Sequence, residues 1–243
     1  MDIKLMLLKT RLSSRNVLGN VSLTSSFSRS CQPVHELEYS LRMGEKVSHK
    51  HKCIFIHIPK TAGSSIREVL YGSIYGGSHA TAREFQILFP EEFQSYYKFA
   101  VVRNPWERLV SAYAYFYKGG NNSDLDLVVQ EKMKSLDGFE GWCDYLYEES
   151  LSKLRSLPIV PHFAPQTSFI ADENRGVIVD SILRFENLQD DFEAVNNGLF
   201  SGVKLGRHRS TKHDNYRNYY NTKTRNLVEK IYFDDIELLK YEF

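Results

Sequence analysis

The chain has 243 residues, of which 42 % are hydrophobic and 25 % charged, and its formal net charge is +1. This length suits one large domain, or one domain with an N-terminal tail, and the composition is that of an ordinary globular protein. A net charge near zero argues against a general binder of nucleic acid or another polyanion, so any basic site must be local.

Residues 1–50 are predicted to be an N-terminal tail that precedes one domain over 51–243. Residues 1–35 contain many Ser, Lys and Arg and a single acid, Asp2. This pattern is typical of an organelle transit peptide or of a disordered tail, and the weak amphipathic pattern favours the tail. No segment approaches the roughly 20 apolar residues of a membrane span.

The three cysteines, Cys31, Cys53 and Cys143, follow no spacing typical of a disulfide framework or a zinc site. Cys53 begins an apolar run and Cys143 lies on a helical apolar stripe. Both are therefore predicted to be core residues, since free cysteine is usually buried, and no metal site is predicted.

From Cys53 onward, strand patterns alternate with helix patterns. "CIFIHI" (53–58) is a buried strand, and "SSIREVLYG" (64–72) is a helix opened by Ser64 or Ser65. After a turn at Gly76 and Gly77, a second helix is predicted from about Thr81. "YKFAVVR" (97–103) is a second strand with an apolar centre, as expected when both faces of a sheet are covered.

The next segment, "NPWERLVSAYAYFYKGG" (104–120), predicts a helix. Asn104 caps it, Pro105 takes the first helical position, and Glu107 completes a capping box with Asn104. A loop over 119–126 follows, and then an amphipathic helix over 137–156.

Three prolines predict an extended connection over 157–166. A strand is predicted up to Phe185, a helix from Leu188, and further helical structure from about Thr222. Alternating strands and helices predict an α/β fold with a central parallel sheet and a helical C-terminal part.

The loop "HIPKTAGSS" (57–65) lies between a predicted strand and a predicted helix. Unpaired amides at a helix N-terminus bind anions, and Lys60, Ser64 and Ser65 add a charge and two hydroxyl donors. Gly63 allows either a close approach of the backbone or a positive φ. The plain alternative is an ordinary turn with an exposed lysine, and the position between strand and helix favours the anion site.

The order of residues in this loop differs from that of a nucleotide hydrolase, where the lysine follows the second glycine. The second strand ends in Arg103 rather than in a carboxylate that would hold Mg²⁺. Both features disfavour a metal-dependent kinase or nucleotide hydrolase, which is kept as an alternative function.

Arg103 leaves the end of the second strand, and Ser111 lies about two turns into the following helix. Ligands gather at the carboxyl ends of parallel strands, so Arg103 and the loop are expected at one edge of the sheet. A guanidinium with a nearby hydroxyl suits a terminal phosphate. A role in helix capping or ion pairing is the alternative for Arg103.

Two long motifs resemble those of the sulfotransferases that use 3′-phosphoadenosine-5′-phosphosulfate (PAPS). "FIHIPKTAGSSIREVL" (55–70) is similar to their 5′-phosphosulfate loop, and "FAVVRNPWERLVSAY" (99–113) to their 3′-phosphate motif. The chain resembles most narrowly the carbohydrate branch, with heparan 2-O- and chondroitin-type enzymes and bacterial relatives. The resemblance covers about residues 52–243, and shorter matches occur in the family's order: "HFAPQ" (162–166), "LRFENL" (183–188) and "HRS" (208–210).

The resemblance implies a P-loop-like three-layer fold and transfer of a sulfuryl group from PAPS to a hydroxyl or amine, without a metal. The acceptor it implies is a carbohydrate. Lys60 would reach the oxygen that bridges phosphate and sulfate, and Arg103 and Ser111 would hold the 3′-phosphate. The 5′-phosphate would be held by the loop residues Thr61, Ala62, Gly63, Ser64 and Ser65.

A base must take the proton of the acceptor, and a histidine suits this role near neutral pH. Similar enzymes place a catalytic histidine near His79, which is therefore the first choice. His162 is the second choice, and it would otherwise line the acceptor cleft with Gln166. His57 is expected to be structural.

The segment 203–225 carries seven Lys and Arg and one acid, which alone would indicate a solvated surface. In the family, the equivalent loop closes over the nucleotide, so Arg207, Arg209 and Ser210 are expected near PAPS or an acidic acceptor. Arg184 and Glu186 would either face the cleft or form an ion pair.

A non-catalytic protein with a nucleotide-binding fold is the remaining alternative. The predicted location is the cytoplasm, with the Golgi as the alternative if the N-terminus is incomplete or atypical. The sequence predicts neither an oligomeric state nor the identity of the acceptor.

Overall fold

The computed structural model describes residues 47–73, 79–151, 160–199, 205–206 and 214–243. Several predicted features lie outside these residues: most of the N-terminal tail, Cys31, the turn at Gly76 and Gly77, the end of the helix predicted to reach residue 156, and Arg207, Arg209 and Ser210.

A sheet of four strands lies at the centre of the described part of the chain, in the order β1 (Val47–Ser48), β2 (Cys53–Ile56), β3 (Tyr97–Val102) and β4 (Ser181–Arg184). β2, β3 and β4 are parallel, and β1 pairs antiparallel with β2 at one edge. The predicted central parallel sheet is confirmed, although β1 was not predicted and begins before residue 51.

Helices connect the strands and extend beyond the last one. They are α1 (Gly63–Tyr71), α2 (Ala82–Leu88), α3 (Pro90–Ser95), α4 (Pro105–Tyr117), α5 (Asp124–Lys134), α6 (Gly138–Leu151), α7 (Val160–Phe163), α8 (Thr167–Ile170), α9 (Leu188–Leu199), α10 (Thr222–Ile231) and α11 (Phe233–Leu239). Two 3₁₀ turns add Phe185–Asn187 and Tyr216–Tyr219.

Both faces of the sheet are covered by helices, which gives three layers. Alternate residues of β2 face opposite ways, so Ile54 and Ile56 belong to one cluster and Cys53 and Phe55 to the other. The first cluster includes side chains of α2 and α8, and the second includes side chains of α1 and α9. The continuous apolar runs of the strands follow from burial on both faces.

A third core forms the helical part of the molecule. It is built on α4, α5, α6 and α10 and includes the fully buried side chains of Trp142 and Cys143. Cys53 and Cys143 are both fully buried, which confirms the prediction that they are core residues.

The structure corrects several local predictions. Residues 124–126 were predicted as loop but begin α5, where Ser123 caps the helix by accepting from the amide of Asp126. The connection over 157–166 is not extended throughout, because 160–163 form one helical turn. The strand predicted to reach Phe185 ends at Arg184, and a 3₁₀ turn follows.

Within the described ranges, none of the helices is long and apolar enough to cross a membrane.

Candidate active site

The predicted anion loop connects β2 to α1 at the carboxyl edge of the sheet. Lys60 and Ala62 take left-handed backbone conformations, with φ of 69° and 68°. Ala62 is the N-cap of α1 and offers no side-chain acceptor to the first turn. Because no side chain caps this end, the helix N-terminus and its dipole are suited to an anionic ligand.

Glycine is required at position 63 because the backbone approaches the side chain of His57 closely, and not because φ is positive. A Cβ at this position would lie 1.8 Å from Nε2 of His57. Of the two roles predicted for Gly63, the structure therefore supports the first, and Lys60 and Ala62 take the left-handed conformations instead. His57 packs under the loop, and its ring stacks on Phe55 at 5.6 Å between centroids.

Thr61 stabilises the loop from within. Its side chain is fully buried, and its hydroxyl donates to the carbonyl oxygen of Ile58 at 2.8 Å. The hydrogen of this hydroxyl is thus directed into the loop and is not available to a ligand. Ser65 is buried and Ser64 half-buried at the start of α1.

Lys60 lies against an aromatic side chain of α4. Its ammonium is 4.2 Å from the centre of the Tyr115 ring. Burial, followed by the positive charges of Arg103 and Arg108, lowers the pKa of Lys60 from 10.5 to about 7. An anion bound beside these cations would relieve both effects, because it offsets the repulsion and replaces the lost solvation.

Arg103 follows β3 and reaches the neighbouring loop, as predicted. Its Nη1 donates to the carbonyl oxygen of Lys60 at 3.2 Å, and its Nη2 donates to Glu107 at 2.7 Å. The guanidinium also stacks 4.1 Å from the centre of the Phe185 ring. Nε of Arg103 is buried and has no hydrogen-bond partner among the described residues. An orphaned donor of this kind would suit an anionic ligand at this site.

Only one of the two hydrogen bonds of the capping box predicted for Asn104 and Glu107 is present. The Asn104 side chain does accept from the amides of Trp106 and Glu107 at the start of α4. The carboxylate of Glu107, however, binds Arg103, and the amide of Asn104 donates to Glu186 at 2.6 Å instead. A charged guanidinium outcompetes a backbone amide for the same carboxylate.

For Arg184 and Glu186 either a place at the cleft or an ion pair was expected, and the two side chains do not form an ion pair with each other. Arg184 donates from Nη2 to the carbonyl oxygen of Leu239, and Glu186 accepts from the hydroxyl of Tyr241 at 3.0 Å. Both side chains tie the end of β4 to the C-terminal segment.

Three histidine rings contact one another beside the loop. The rings of His57 and His79 are 4.5 Å apart, and those of His79 and His162 are 5.3 Å apart. Both candidate bases therefore lie together, although His79 and His162 are far apart in the sequence. Among the residues that the structure describes, no group of three or more His, Cys, Asp or Glu side chains is arranged to hold a metal ion.

The structure determines the tautomer of His79. Its Nδ1 lies 3.0 Å from the carbonyl oxygen of His57. A carbonyl oxygen only accepts, so Nδ1 must donate its hydrogen. Nε2 is then the basic nitrogen of the neutral ring, which is the state that a general base requires.

His162 has a different environment. Its ring stacks parallel to Tyr115, at 5.7 Å and an angle of 4°. Burial, followed by the charges of His79, Lys60 and Arg108, lowers the pKa of His162 well below 6.5. His162 is therefore neutral and a weaker base than an ordinary histidine.

Arg108 was missed by the sequence reasoning. It lies on α4 and is 1 % exposed. It donates from Nε to the carbonyl oxygen of Pro59 at 2.9 Å, from Nη1 to that of Ala164 at 2.9 Å, and from Nη2 to that of Pro161 at 3.4 Å. Arg108 thus joins the segment just before Lys60 to the segment around His162.

Gln166 does not line a cleft. It is fully buried and forms hydrogen bonds to the backbone of Arg103 and to Asp235. Ser111, which was predicted to accompany Arg103, is 3 % exposed on α4.

The comparison with protein families agrees with this arrangement. The model of a family described as "Sulfotransferase family" matches residues 45–242. No curated protein and no solved structure matches the chain significantly.

Proposed function

The chain belongs to the sulfotransferase family, and on this premise we propose that it transfers a sulfuryl group from PAPS to a hydroxyl, or an amine, of a carbohydrate. Transfer of a sulfuryl group follows from the family. The donor and the class of acceptor are the proposed part.

One observation supports PAPS as the donor above all others. Lys60 and Arg103 leave adjacent parallel strands, and a hydrogen bond of 3.2 Å joins Arg103 Nη1 to the Lys60 carbonyl oxygen. The positive charge of Arg103 also acts on the Lys60 ammonium and lowers its pKa, and two cations that interact in this way suit a ligand with several separate negative charges. A nucleotide with a 5′-phosphosulfate and a 3′-phosphate is such a ligand.

The loop and α1 would hold the 5′ end of the donor. The N-terminus of α1 offers amides and a positive dipole, and Ser64 and Ser65 add hydroxyls. Arg103, with its buried Nε, would hold the 3′-phosphate together with Ser111. When bound, PAPS supplies the sulfuryl group and leaves as 3′,5′-ADP.

Lys60 would stabilise the charge that develops during transfer. The acceptor oxygen forms a bond to sulfur while the bond from sulfur to the bridging oxygen breaks, and negative charge grows on that bridging oxygen. An ammonium placed there in a site of low polarity stabilises the transition state more than the ground state. Burial of Lys60 is consistent with such a site.

His79 would take the proton of the acceptor hydroxyl on Nε2. The hydrogen bond from Nδ1 to the His57 carbonyl oxygen keeps the ring oriented and in the required tautomer. His162, which is stacked on Tyr115, is better suited to shaping the site than to accepting the proton.

Calorimetry with nucleotides tests the proposal. We expect 3′,5′-ADP to bind more tightly than ADP, whose two phosphates are both on the 5′ side, and Mg²⁺ to have no effect. Equal affinity for ADP, or binding that requires Mg²⁺, would refute the proposal and favour a kinase or nucleotide hydrolase.

Replacing Lys60 with Ala should reduce the rate of sulfuryl transfer far more than the affinity for the nucleotide. Binding of 3′,5′-ADP without transfer to any carbohydrate acceptor would favour a non-catalytic nucleotide-binding protein.

A further inference from the structure

Gln166 forms two hydrogen bonds with the backbone of a single residue, Arg103. The amide of Arg103 donates to Oε1 of Gln166 at 2.9 Å, and Nε2 of Gln166 donates to the carbonyl oxygen of Arg103 at 2.8 Å. The two residues are 63 positions apart in the sequence, and Gln166 is fully buried. The side-chain amide thus pairs with both backbone groups of Arg103.

This pairing occurs where the sheet ends. β3 pairs with β4 up to Val102 and Arg184, and with β2 only up to Ala100 and Ile56. Arg103 is therefore the first residue of its chain segment beyond the ladder. A primary amide has the donor and the acceptor of a peptide group, so Gln166 takes the place of a strand neighbour for this residue.

Asp235 determines how the Gln166 side chain is oriented. The carboxylate of Asp235 is fully buried and accepts from the amides of Gln166 and Thr167, both at 2.8 Å. Its Oδ2 lies 3.5 Å from Nε2 of Gln166. Both the carboxylate and the Arg103 carbonyl oxygen are acceptors, so the NH₂ group must face them and Oε1 must face the Arg103 amide.

The pairing with Gln166 holds the backbone from which the Arg103 side chain leaves. Its guanidinium is held at its far end by the Lys60 carbonyl oxygen and by Glu107. We propose that Gln166 is a positioning residue, which orients Arg103 towards the 3′-phosphate of the nucleotide. The proposal depends on the proposed function, because the 3′-phosphate belongs to the donor proposed there.

The experiment compares the affinity for 3′,5′-ADP with that for 5′-AMP, which lacks the 3′-phosphate. In the wild-type protein we expect 3′,5′-ADP to bind at least about tenfold more tightly, the value of a charge-assisted contact. Gln166→Met, which has a similar shape and no amide, should reduce this preference to within about threefold. Thr167→Val is the matched control, since it removes a bond to Asp235 at 2.9 Å without touching Arg103. The control should keep the wild-type preference.

Loss of stability alone does not change a ratio of two affinities in the folded protein, so the readout separates positioning from a merely structural role. Gln166→Glu is the second variant: it keeps the shape and an acceptor for the Arg103 amide, loses the NH₂ donor, and adds a carboxyl group beside Asp235. It should lower the preference as well. Amide exchange of Arg103 in the wild-type protein is a further measurement, and we expect protection before any nucleotide is added.

Each outcome has a distinct meaning. A preference retained by Gln166→Met or Gln166→Glu, or a fast-exchanging Arg103 amide, overturns the inference and leaves the proposed function intact. The same loss in Thr167→Val also overturns it, because the effect would then be general to this cluster. No preference for 3′,5′-ADP in the wild-type protein contradicts the proposed function itself.

Discussion

Binding of 3′,5′-ADP at pH 8 should be accompanied by uptake of a proton on Lys60. Burial, followed by the charges of Arg103 and Arg108, lowers the pKa of this lysine to about 7 in the free protein. At pH 8, about nine tenths of the free protein would then carry a neutral Lys60. A phosphate in contact with the amine raises its pKa by about 2 units or more. We therefore expect uptake of about 0.8 proton for each nucleotide bound.

The assay is titration calorimetry in buffers that differ in ionisation enthalpy. The slope of the observed enthalpy against the buffer enthalpy is the number of protons exchanged. At pH 8 the phosphates of the ligand, with a second pKa of about 6, are already dianionic and contribute little. Uptake should fall to about 0.5 proton at pH 7, since Lys60 is then half protonated before binding.

Lys60→Arg is the matched control. A guanidinium keeps the positive charge and does not lose its proton in proteins. This variant should bind 3′,5′-ADP with no comparable uptake at pH 8. Uptake below about 0.2 proton in the wild-type protein, or equal uptake in the two proteins, would show that Lys60 is already protonated and that our reading of its environment is wrong.

Four further expectations follow from the site. Lys60→Met should raise the melting temperature of the free protein at pH 7, because a half-buried lysine whose pKa falls from 10.5 to about 7 destabilises the fold increasingly as the pH falls through that window; an unchanged or lower melting temperature contradicts this. Gly63→Ala should destabilise the protein by about 1–3 kcal/mol, since its Cβ meets His57, and His57→Ala in the same chain should restore part of the loss in denaturant titrations. His79→Gln should reduce kcat by about 10²- to 10⁴-fold with little change in the Kd of 3′,5′-ADP; a similar defect in both would indicate a role in nucleotide binding. The pKa values of His57 and His162 lie well below 6.5 in the folded protein, so the unfolded chain takes up protons first and the free energy of unfolding should decrease as the pH falls below 6.5. A melting temperature that stays constant from pH 7 to pH 5 would rule this out.

The local features of the site were predictable because neighbours in sequence produce them. A strand, a short loop and a helix start place Lys60 and Gly63 at the edge of a sheet wherever the rest of the chain folds. The capping role of Asn104 is similarly local, and its bonds to the next two amides of the helix are present. The other half of the predicted capping box was wrong because Glu107 meets Arg103, a residue that the capping pattern does not include.

The partners of buried polar groups were not predictable in the same way. Arg108 binds Pro59, which is 49 positions away, and Gln166 binds Asp235, which is 69 positions away. A buried charge or amide must find partners, but its own sequence neighbourhood does not say which segment supplies them. Gln166 was for this reason assigned to a cleft when it in fact pairs with the Arg103 backbone.

The sequence by itself determined the fold class, the loop between β2 and α1, and the presence of Arg103 at a neighbouring strand end, because hydrophobic periodicity and helix-end chemistry are short-range properties. Only the tertiary structure decided which way His79 presents its basic nitrogen, what lowers the pKa of Lys60, and how Arg103 is held. Each of these depends on groups brought together from distant parts of the chain, where burial removes water and makes hydrogen bonds and charges act strongly on one another.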